Sequence, residues 1–352
     1  MASISIYGTI QEHIIGYVGS VKKMRVLSGI QPSGTLHLGN YFGMMSRMVR
    51  YQSENDLFCF IANYHAQTTI PSAQTLSENT FNATCDFLAL GIDPEISTFW
   101  VQSDVPQVAE LMWILSSLTS VGSLDRATSY KDKIAQGIKP NAGLYSYPIL
   151  MAADILLFDA ELVPVGRDQK QHLELCRDIA QKFNNDFKTD LFPIPEPLIF
   201  GEATRVMSLR DGSKKMSKSD PSDYSRIMLT DTAENIVQKI RKAKTDPEPL
   251  PENKTDLEKR PEAENLISIF ASLKDTSVDN VINEYSGKEF SIFKKDLADL
   301  SVSKLEPITS EMNKLMNDIS YIDSVLNAGK DNATSVAEPV LQKTKEIIGF
   351  LT

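Results

Sequence analysis

Apolar segments of strand length alternate with helix-periodic segments through the first part of the chain, and this alternation constrains the fold most. A short strand is expected to start at residues 24–27, and further strands are predicted at 57–62, 98–102 and 162–165. The helix-periodic segments lie at 75–90, 105–117, 149–158 and 170–183. Because parallel strands need crossover helices, the pattern predicts an α/β fold: a Rossmann-like, doubly wound parallel sheet with helices on both faces.

The strand signals stop near residue 220. Helical patterns follow at 231–243, 262–273, 277–285, 288–314 and 337–350, and the Pro- and charge-rich segment 246–261 is predicted to be an exposed connector. We therefore expect a Rossmann-like α/β domain at 24–220, which the resemblance given below implies to be catalytic, and an all-α domain at 221–352. The last helix is expected to be able to pack back on the first domain.

A Lys/Ser-rich segment at 205–220 is the first candidate anion site. Lys214, Lys215 and Lys218 lie within five residues of one another and are preceded by Gly212. Glycine gives the backbone freedom, and lysines supply point charges where negative charge accumulates, so the segment is typical of a mobile loop that closes over a polyphosphate. The alternative is a solvated basic turn.

A second candidate anion site follows the first predicted strand. The glycine-bearing turn at 29–34 leads to His37, and an apolar helix-periodic segment begins there. A strand, a turn and a helix start bring backbone N–H groups to one point, which favours an anion. His37 would donate to phosphate oxygens.

Composition limits the remaining possibilities. The chain has 352 residues and a formal net charge of −10, so binding to a nucleic acid would need a local basic patch. One candidate patch comprises Lys214, Lys215, Lys218, Arg226, Lys239, Arg241, Lys242 and Lys244, although residues 239–244 also fit a solvated helix end. The three cysteines are isolated and the four histidines scattered, which predicts reduced thiols and no structural metal. No apolar segment reaches the roughly twenty residues that span a membrane.

The two anion-site segments resemble the signatures of one enzyme class. His37-Leu38-Gly39-Asn40 is similar to the "HIGH" signature of class I aminoacyl-tRNA synthetases, and Lys215-Met216-Ser217-Lys218-Ser219 matches their "KMSKS" signature. Within that class, segments 29–34, 147–156 and 163–172 resemble bacterial tryptophanyl-tRNA synthetases. The resemblance begins near Met24, so residues 1–23 are interpreted as an N-terminal extension, with a wrongly assigned start codon as the alternative. Asn40 stands where the signature has a second histidine, a change that bacterial members of the family tolerate.

The resemblance implies adenylation of tryptophan by ATP, followed by transfer to tRNA(Trp). Lys215, Lys218 and His37 would be the catalytic residues, with Mg²⁺ bridging phosphate oxygens. The ATP site would comprise Gln31, Pro32, Ser33, Gly39, Asn40, Gly166, Arg167, Asp168, Val206, Lys215, Met216, Ser217, Lys218 and Ser219. The family also implies a cytoplasmic homodimer whose C-terminal helices bind the anticodon.

Asp154 is the candidate that would select the amino acid. It lies in a strongly apolar helical segment, where a carboxylate is costly unless a donor satisfies it. A nearby cation or backbone N–H would satisfy it in an ordinary protein. The resemblance favours tryptophan, because an indole N–H is a donor only and a carboxylate an acceptor only. The remaining tryptophan-site candidates are Met151 and Leu27 as apolar walls, and Tyr147 and Gln169, which either hold the substrate ammonium or orient the pocket. His65 either touches the substrate amine or is a core histidine.

Three alternatives stay open from the sequence. A tyrosyl-tRNA synthetase shares the fold but needs a pocket for a phenol. A small-molecule nucleotidylyltransferase shares the first signature, but it would not need both the Lys/Ser-rich segment at 205–220 (the lysine loop) and the long helical block at 221–352. A non-catalytic tRNA-binding paralogue would have no need to retain His37, Lys215, Lys218 and Asp154 together.

Overall fold

The computed structural model describes the chain except at a few short segments. The described residues are 23–32, 34, 36–42, 46–70, 72–126, 135, 137, 139–166, 170–199, 205–218 and 220–351. The predicted N-terminal extension therefore lies outside the described residues, apart from Lys23.

Five parallel strands form one sheet in the described part of the chain. They are β1 (Arg25–Ile30), β2 (Asp56–Ile61), β3 (Thr98–Val101), β4 (Leu162–Val165) and β5 (Glu196–Ile199), in the order β3-β2-β1-β4-β5. The chain moves outward in one direction from β1 to β3, and then crosses to the other side for β4 and β5. A doubly wound parallel sheet was predicted from the alternating pattern, and this fold class is confirmed.

The strand order places a topological switch between β1 and β4. In open α/β sheets a ligand binds at this point, outside the carboxyl ends of the strands. Gln31 follows β1 directly, and Gly166 follows β4. Two segments that were predicted to line the ATP site thus leave the sheet on the two sides of the switch.

Helices surround the sheet and form the C-terminal part. They are α1 (Leu38–Asn40), α2 (Ser46–Glu54), α3 (Asn63–Gln67), α4 (Ala73–Ala89), α5 (Gln107–Leu118), α6 (Val121–Asp125), α7 (Ala142–Leu157), α8 (Lys170–Phe187), α9 (Ala233–Arg241), α10 (Pro261–Lys274), α11 (Val278–Tyr285), α12 (Phe290–Met316) and α13 (Ile319–Ile348). Short 3₁₀ helices lie at Gln102–Asp104, Asp223–Ser225 and Lys254–Lys259. None of the described helices is both long enough and apolar enough to cross a membrane.

Successive residues along a strand belong to two different hydrophobic clusters, one on each face of the sheet. Leu57 and Cys59 of β2 belong to a cluster that extends into the C-terminal helices, whereas Phe58 and Phe60 pack with α5, α7 and α8. This division follows from the two-residue period of a strand, which sends successive side chains to opposite faces. Both faces of the sheet are therefore covered, as a parallel sheet requires.

The C-terminal helix α13 lies against the outer strand β3 and against α5. A Cβ atom on Gly329 would stand 1.8 Å from the carbonyl oxygen of Phe99, so only glycine allows the helix to approach the strand this closely. Lys345 also forms an ion pair of 2.6 Å with Glu110 of α5. The division of the chain into two domains at residue 220 stays a prediction.

Three elements of the structure differ from the sequence-based prediction. β5 was not predicted, α7 begins seven residues before the expected 149, and α13 begins at Ile319 although its helical pattern was recognised only from 337. Pro148 and Pro339 lie inside helices α7 and α13. Proline interrupts helical patterns in sequence, and tertiary packing has overridden that signal in both helices.

Candidate active site

His37 caps the short helix that follows β1. Its Nδ1 accepts a hydrogen bond of 3.1 Å from the Gly39 N–H, and the Asn40 side-chain oxygen accepts one of 3.1 Å from the His37 N–H. The position where the class signature has a second histidine thus holds an amide that completes a reciprocal cap.

The cap also fixes the tautomer of His37. Since Nδ1 accepts, we assign the proton to Nε2, which leaves that atom as a donor. Burial, with smaller effects from Lys218, Lys215 and Arg226, lowers the pKa of His37 from 6.5 to about 4. The imidazole is therefore neutral near pH 7 and can donate one hydrogen bond to a phosphate oxygen.

The lysine loop is folded on its own preceding segment. Met207 and Lys215 form an antiparallel bridge, and the Met216 N–H donates to the Val206 carbonyl at 3.1 Å. Met216 and Val206 are buried, whereas Lys215 is exposed. The bridge anchors the base of the loop, and the ammonium of Lys214 pairs with Asp211 at 3.1 Å within it.

The two signature segments contact each other. Lys218 Nζ donates to the carbonyl of Gly34 at 2.9 Å, in the turn after β1. Gly39 faces Met216, because a Cβ atom on Gly39 would lie 3.7 Å from the Cβ of Met216. Burial lowers the pKa of Lys218, and the charge of Asp86 on α4 opposes this shift. His37, Gly39, Met216 and Lys218 thus meet at one point, as was expected if both segments bind the same nucleotide.

Asp154 lies on α7 and its carboxylate is already hydrogen-bonded. Gln102 Nε2 is 2.8 Å from each carboxylate oxygen, and His65 Nε2 is 2.9 Å from Oδ2. Asp154 is 2% exposed, and burial raises the pKa of this carboxyl although the bonds from His65 and Gln102 oppose the shift. A carboxylate has about four lone-pair positions, so the three contacts from these two nitrogen atoms still leave one position for an indole N–H.

Gln102 is a site residue that the sequence reasoning missed. It is fully buried at the end of β3, and its Oε1 accepts a hydrogen bond of 3.1 Å from the Tyr64 N–H. This bond orients the amide so that its NH₂ group faces Asp154. A lone glutamine after a strand carries no signal in sequence that would have distinguished it from any other polar residue.

Aromatic side chains border the carboxylate. The ring of Tyr147 lies 6.0 Å from that of His65 in an edge-to-face arrangement, and its hydroxyl is hydrogen-bonded to His172 Nε2. His65 therefore contacts Asp154 within the structure, and neither of the two roles expected for it, substrate contact or core histidine, is tested. Leu27 is buried on β1 and Met151 is half-buried on α7.

A cavity of about 410 Å³ opens beside this cluster, between α3, α5 and α7. Its volume is in the range of small-molecule sites. Tyr147 and Leu150 line it, but Asp154 and His65 do not. The cavity thus borders the candidate tryptophan site without containing its key carboxylate.

Comparison with known proteins decides the family. A model described as class I tRNA synthetases (W and Y) matches residues 20–306. Tryptophan–tRNA ligase of Caulobacter vibrioides is 50% identical over 328 residues, which cover 93% of this chain and 95% of the relative. The ligase of Mesorhizobium japonicum is 49% identical, with 94% and 99% covered.

The chain belongs to the tryptophan–tRNA ligase family of class I synthetases.

Solved structures agree with this assignment. Tryptophanyl-tRNA synthetase from Campylobacter jejuni, complexed with ADP and tryptophan, superposes on the synthetase with a TM-score of 0.81 at 41% identity, and the match covers 93% of this chain and all of that one. A tyrosyl-tRNA synthetase from Archaeoglobus fulgidus gives a TM-score of 0.64 at 19% identity, which shows a shared fold alone. The resemblance that was stated from the sequence is confirmed.

The placement of the predicted site residues is incomplete. Ser33, Arg167, Asp168, Gln169 and Ser219 lie outside the residues that the structure describes. Among the others, Pro32 is buried, Gln31 and Gly166 are exposed, and Ser217 is half-buried. The roles assigned to all of these residues stay predictions.

The predicted basic patch of the synthetase needs a correction. Lys239 is only 3% exposed, because its ammonium is paired with Asp231 and Asp223 at 2.6 and 2.9 Å. Arg226 is 16% exposed, and its Nη1 donates to the carbonyl of Asp220 at 2.9 Å. A sequence pattern counts every lysine as a surface charge, but these two cations face into the protein.

Proposed function

We propose that this synthetase activates L-tryptophan with ATP to form tryptophanyl-adenylate and pyrophosphate, and then transfers tryptophan to the 3′ end of tRNA(Trp). The buried Asp154 carboxylate carries the proposal, since it offers an acceptor to an indole N–H. The ligases at 45–50% identity are named for tryptophan, which supports the same amino acid and disfavours tyrosine.

Adenylation needs positioning and charge stabilisation rather than covalent help from the protein. The tryptophan carboxylate attacks the α-phosphorus in line, and the bond to pyrophosphate breaks. Lys215 and Lys218 would stabilise the charge that develops on the departing pyrophosphate, and His37 would donate from Nε2 to a phosphate oxygen. Mg²⁺, which the family resemblance implies, would add positive charge at the phosphates of ATP.

Asp154 would select tryptophan through a hydrogen bond to the indole. The indole donates its N–H to the carboxylate, whereas phenylalanine offers no donor to this buried group. A site that is built around a substrate hydrogen bond can reject the analogue that lacks the bond by about 10⁴-fold. Gln102 and His65 hold the carboxylate in place, so its orientation does not depend on the substrate.

The proposed tRNA partner fits a basic patch that excludes Lys239 and Arg226. Lys214 and Lys215 are exposed on the lysine loop, and Arg241 and Lys242 are exposed at the end of α9. Because translation consumes the product, we place the protein in the cytoplasm.

A second copy of the chain is the proposed protein partner. Trp113 on α5 is 74% exposed and Val121 on α6 is 65% exposed, and contact with a second copy would remove these apolar side chains from water. The hydroxyl of Tyr145 on α7 donates to the Val121 carbonyl at 3.3 Å, so this surface borders the helix that carries Asp154. Light scattering of the wild type and of Trp113→Glu would test the dimer, which the charge should dissociate.

Aminoacylation tests the proposed function. Purified protein, ATP, labelled tryptophan and a tRNA(Trp) transcript should yield acid-precipitable tryptophan, and omission of ATP should abolish it. Tryptophan-dependent ATP–pyrophosphate exchange without charging would contradict the transfer step. The absence of both reactions would leave a non-catalytic tRNA-binding protein.

A further inference from the structure

A buried ammonium lies on α9, about twenty residues after the second signature in the sequence. Lys239 Nζ is 2.6 and 2.9 Å from the two carboxylate oxygens of Asp231, and 2.9 Å from Asp223 Oδ2. The Lys239 side chain is 3% exposed and that of Asp231 is 10% exposed. A charge this deeply buried is retained only when its donors are satisfied, and here two carboxylates receive them.

One path leads from Lys239 to His37. The carboxylate of Asp231 accepts a hydrogen bond of 2.8 Å from the Met228 N–H, and Met228 forms an antiparallel bridge with His37. Two backbone hydrogen bonds flank that bridge, from Leu38 to Ile227 and from Leu229 to Leu36, each of 2.9 Å. The position of His37 is thus set by a strand-like segment that Asp231 holds.

A second path leads from Lys239 to the lysine loop. Asp223 pairs with both Lys239 and Arg226. Its Oδ2 contacts Lys239, and its Oδ1 lies 3.4 Å from Arg226 Nη2. Arg226 Nη1 then donates to the carbonyl of Asp220 at 2.9 Å. Asp220 follows the KMSKS signature directly, so this path ends where the loop re-enters the body of the protein.

Helix α9 provides a rigid base for both paths. Thr232 caps its N-terminus by accepting from the Asn235 N–H, and Ile236 and Ile240 belong to the large hydrophobic cluster. The carbonyl of Leu229 is also bonded to Thr309 Oγ1 of α12 at 2.6 Å. Lys239 therefore connects the signature segments to helices that cannot shift without disrupting the core.

We propose that Lys239 is a positioning residue for adenylation: through Asp231 and Asp223 it holds the His37 segment and the end of the lysine loop at a fixed separation. The inference rests on the proposed function. Lys239 touches neither the candidate ATP residues His37 and Lys218 nor the Asp154 network. Its loss should therefore lower the rate of adenylation and leave the tryptophan site intact.

The central variant is Lys239→Met, which keeps the length of the side chain and removes its charge. ATP–pyrophosphate exchange should lose kcat on the order of 10²-fold, the effect of a small misplacement of reacting groups. Tryptophan binding, measured by calorimetry, should not change. Lys239→Arg should recover most of the rate because it keeps the charge.

Two further variants control for stability. Lys274→Met removes an exposed ion pair of 2.7 Å with Glu284 on α10 and α11, away from both signatures, and should keep the wild-type rate. Asp223→Asn breaks one of the two paths at a side chain that is 64% exposed, so it should fold even if Lys239→Met does not. We expect it to lower kcat in the same direction by a smaller factor.

Hydrogen exchange gives a readout that does not depend on activity. The amides of Leu38 and Leu229 should exchange faster in Lys239→Met than in the wild type, and the amides of the five-stranded sheet should change less. A wild-type rate in Lys239→Met, or a loss of tryptophan binding that parallels the loss of rate, would overturn the inference, as would unchanged exchange at both amides. If the wild type itself lacked tryptophan-driven exchange, the proposed function would fail instead.

Discussion

The candidate active site has an amino-acid half around Asp154 and a phosphate half around His37 and Lys218, and the two are built differently. Around Asp154, every contact joins residues on helices or strand ends: Gln102 follows β3, His65 lies on α3, and the carboxylate is buried on α7. Around His37, the contacts join loops that are distant in sequence, such as Gly34 with Lys218 and Leu36 with Leu229.

This difference indicates where each half can change. The amino-acid half is assembled before substrate arrives, because its hydrogen bonds are internal to the protein. In the phosphate half, the loop segments are held in place by contacts of Asp231, Asp223 and Arg226, which lie outside the candidate site. Under the proposed function, selection of the amino acid would depend on helices and strand ends, whereas binding of the phosphates would depend on loop segments whose separation is set by contacts outside the site.

Lys218→Ala should give the largest effect and confine it to the phosphate half. The loss of a positive charge that stabilises the leaving group should lower the exchange kcat by about 10²- to 10³-fold, or about 3–4 kcal/mol in barrier. The Kd for tryptophan should be unchanged. Lys182→Ala removes an exposed ion pair on α8 and serves as the control. An equal loss in tryptophan affinity would break the separation between the halves.

Asp86→Asn should show the cost in stability of a buried carboxylate that lacks the hydrogen bonds of Asp154. Asp86 lies on α4 and interacts electrostatically with Lys218 of the phosphate half. Asp86 is 1% exposed, and its Oδ2 has no hydrogen-bond partner among the described residues. Burial raises its pKa from 3.8 to about 7, although the charge of Lys218 opposes the shift. As the pH rises from about 4 to 7, the unfolded chain releases this proton first, so the wild type loses stability in that window.

The variant should therefore gain stability relative to the wild type as the pH rises, by on the order of 3 kcal/mol near pH 8. Urea unfolding at pH 5 and pH 8 measures the difference. Asp178→Asn, on the exposed face of α8, is the matched control and should show no such trend. Parallel stability curves for the wild type and Asp86→Asn would contradict this prediction.

Gln102→Leu should have the smallest effect of the three and act on the amino-acid half. It removes two contacts to Asp154 and the acceptor for the Tyr64 N–H, and losing a buried hydrogen bond costs about 1–3 kcal/mol. The KM for tryptophan should rise about ten-fold while kcat changes little. A loss of kcat with an unchanged KM would mean that Gln102 serves the chemical step.

Much of the fold was predictable because its signals are local. The strands β2, β3 and β4 show as short apolar segments, and α8 and α10 show as helical periods. β5 was missed because Pro197 lowers strand propensity, yet this strand lies at the sheet edge, where proline is tolerated. The first half of α13 was missed because Gly329 weakens the helical pattern, and only packing against β3 explains that glycine.

The site was predictable to the extent that it consists of motifs. His37, Lys218 and Asp154 belong to recognisable segments, and the structure brings His37 and Lys218 together. Gln102 and Lys239 have no sequence signal, since their partners lie 52 positions away for Gln102 and 8 and 16 positions away for Lys239. Lys239 was interpreted as a surface charge, and the structure shows that it is buried. Composition alone cannot reveal that a lysine is buried.

The central claim is that the Asp154 carboxylate recognises tryptophan by accepting a hydrogen bond from its indole N–H. ATP–pyrophosphate exchange driven separately by tryptophan, tyrosine and phenylalanine, for the wild type and Asp154→Ala, tests it most directly. We predict exchange with tryptophan alone in the wild type, and loss of most of that exchange in the variant. Exchange driven by tyrosine, or a variant that keeps the wild-type preference for tryptophan, would contradict the account.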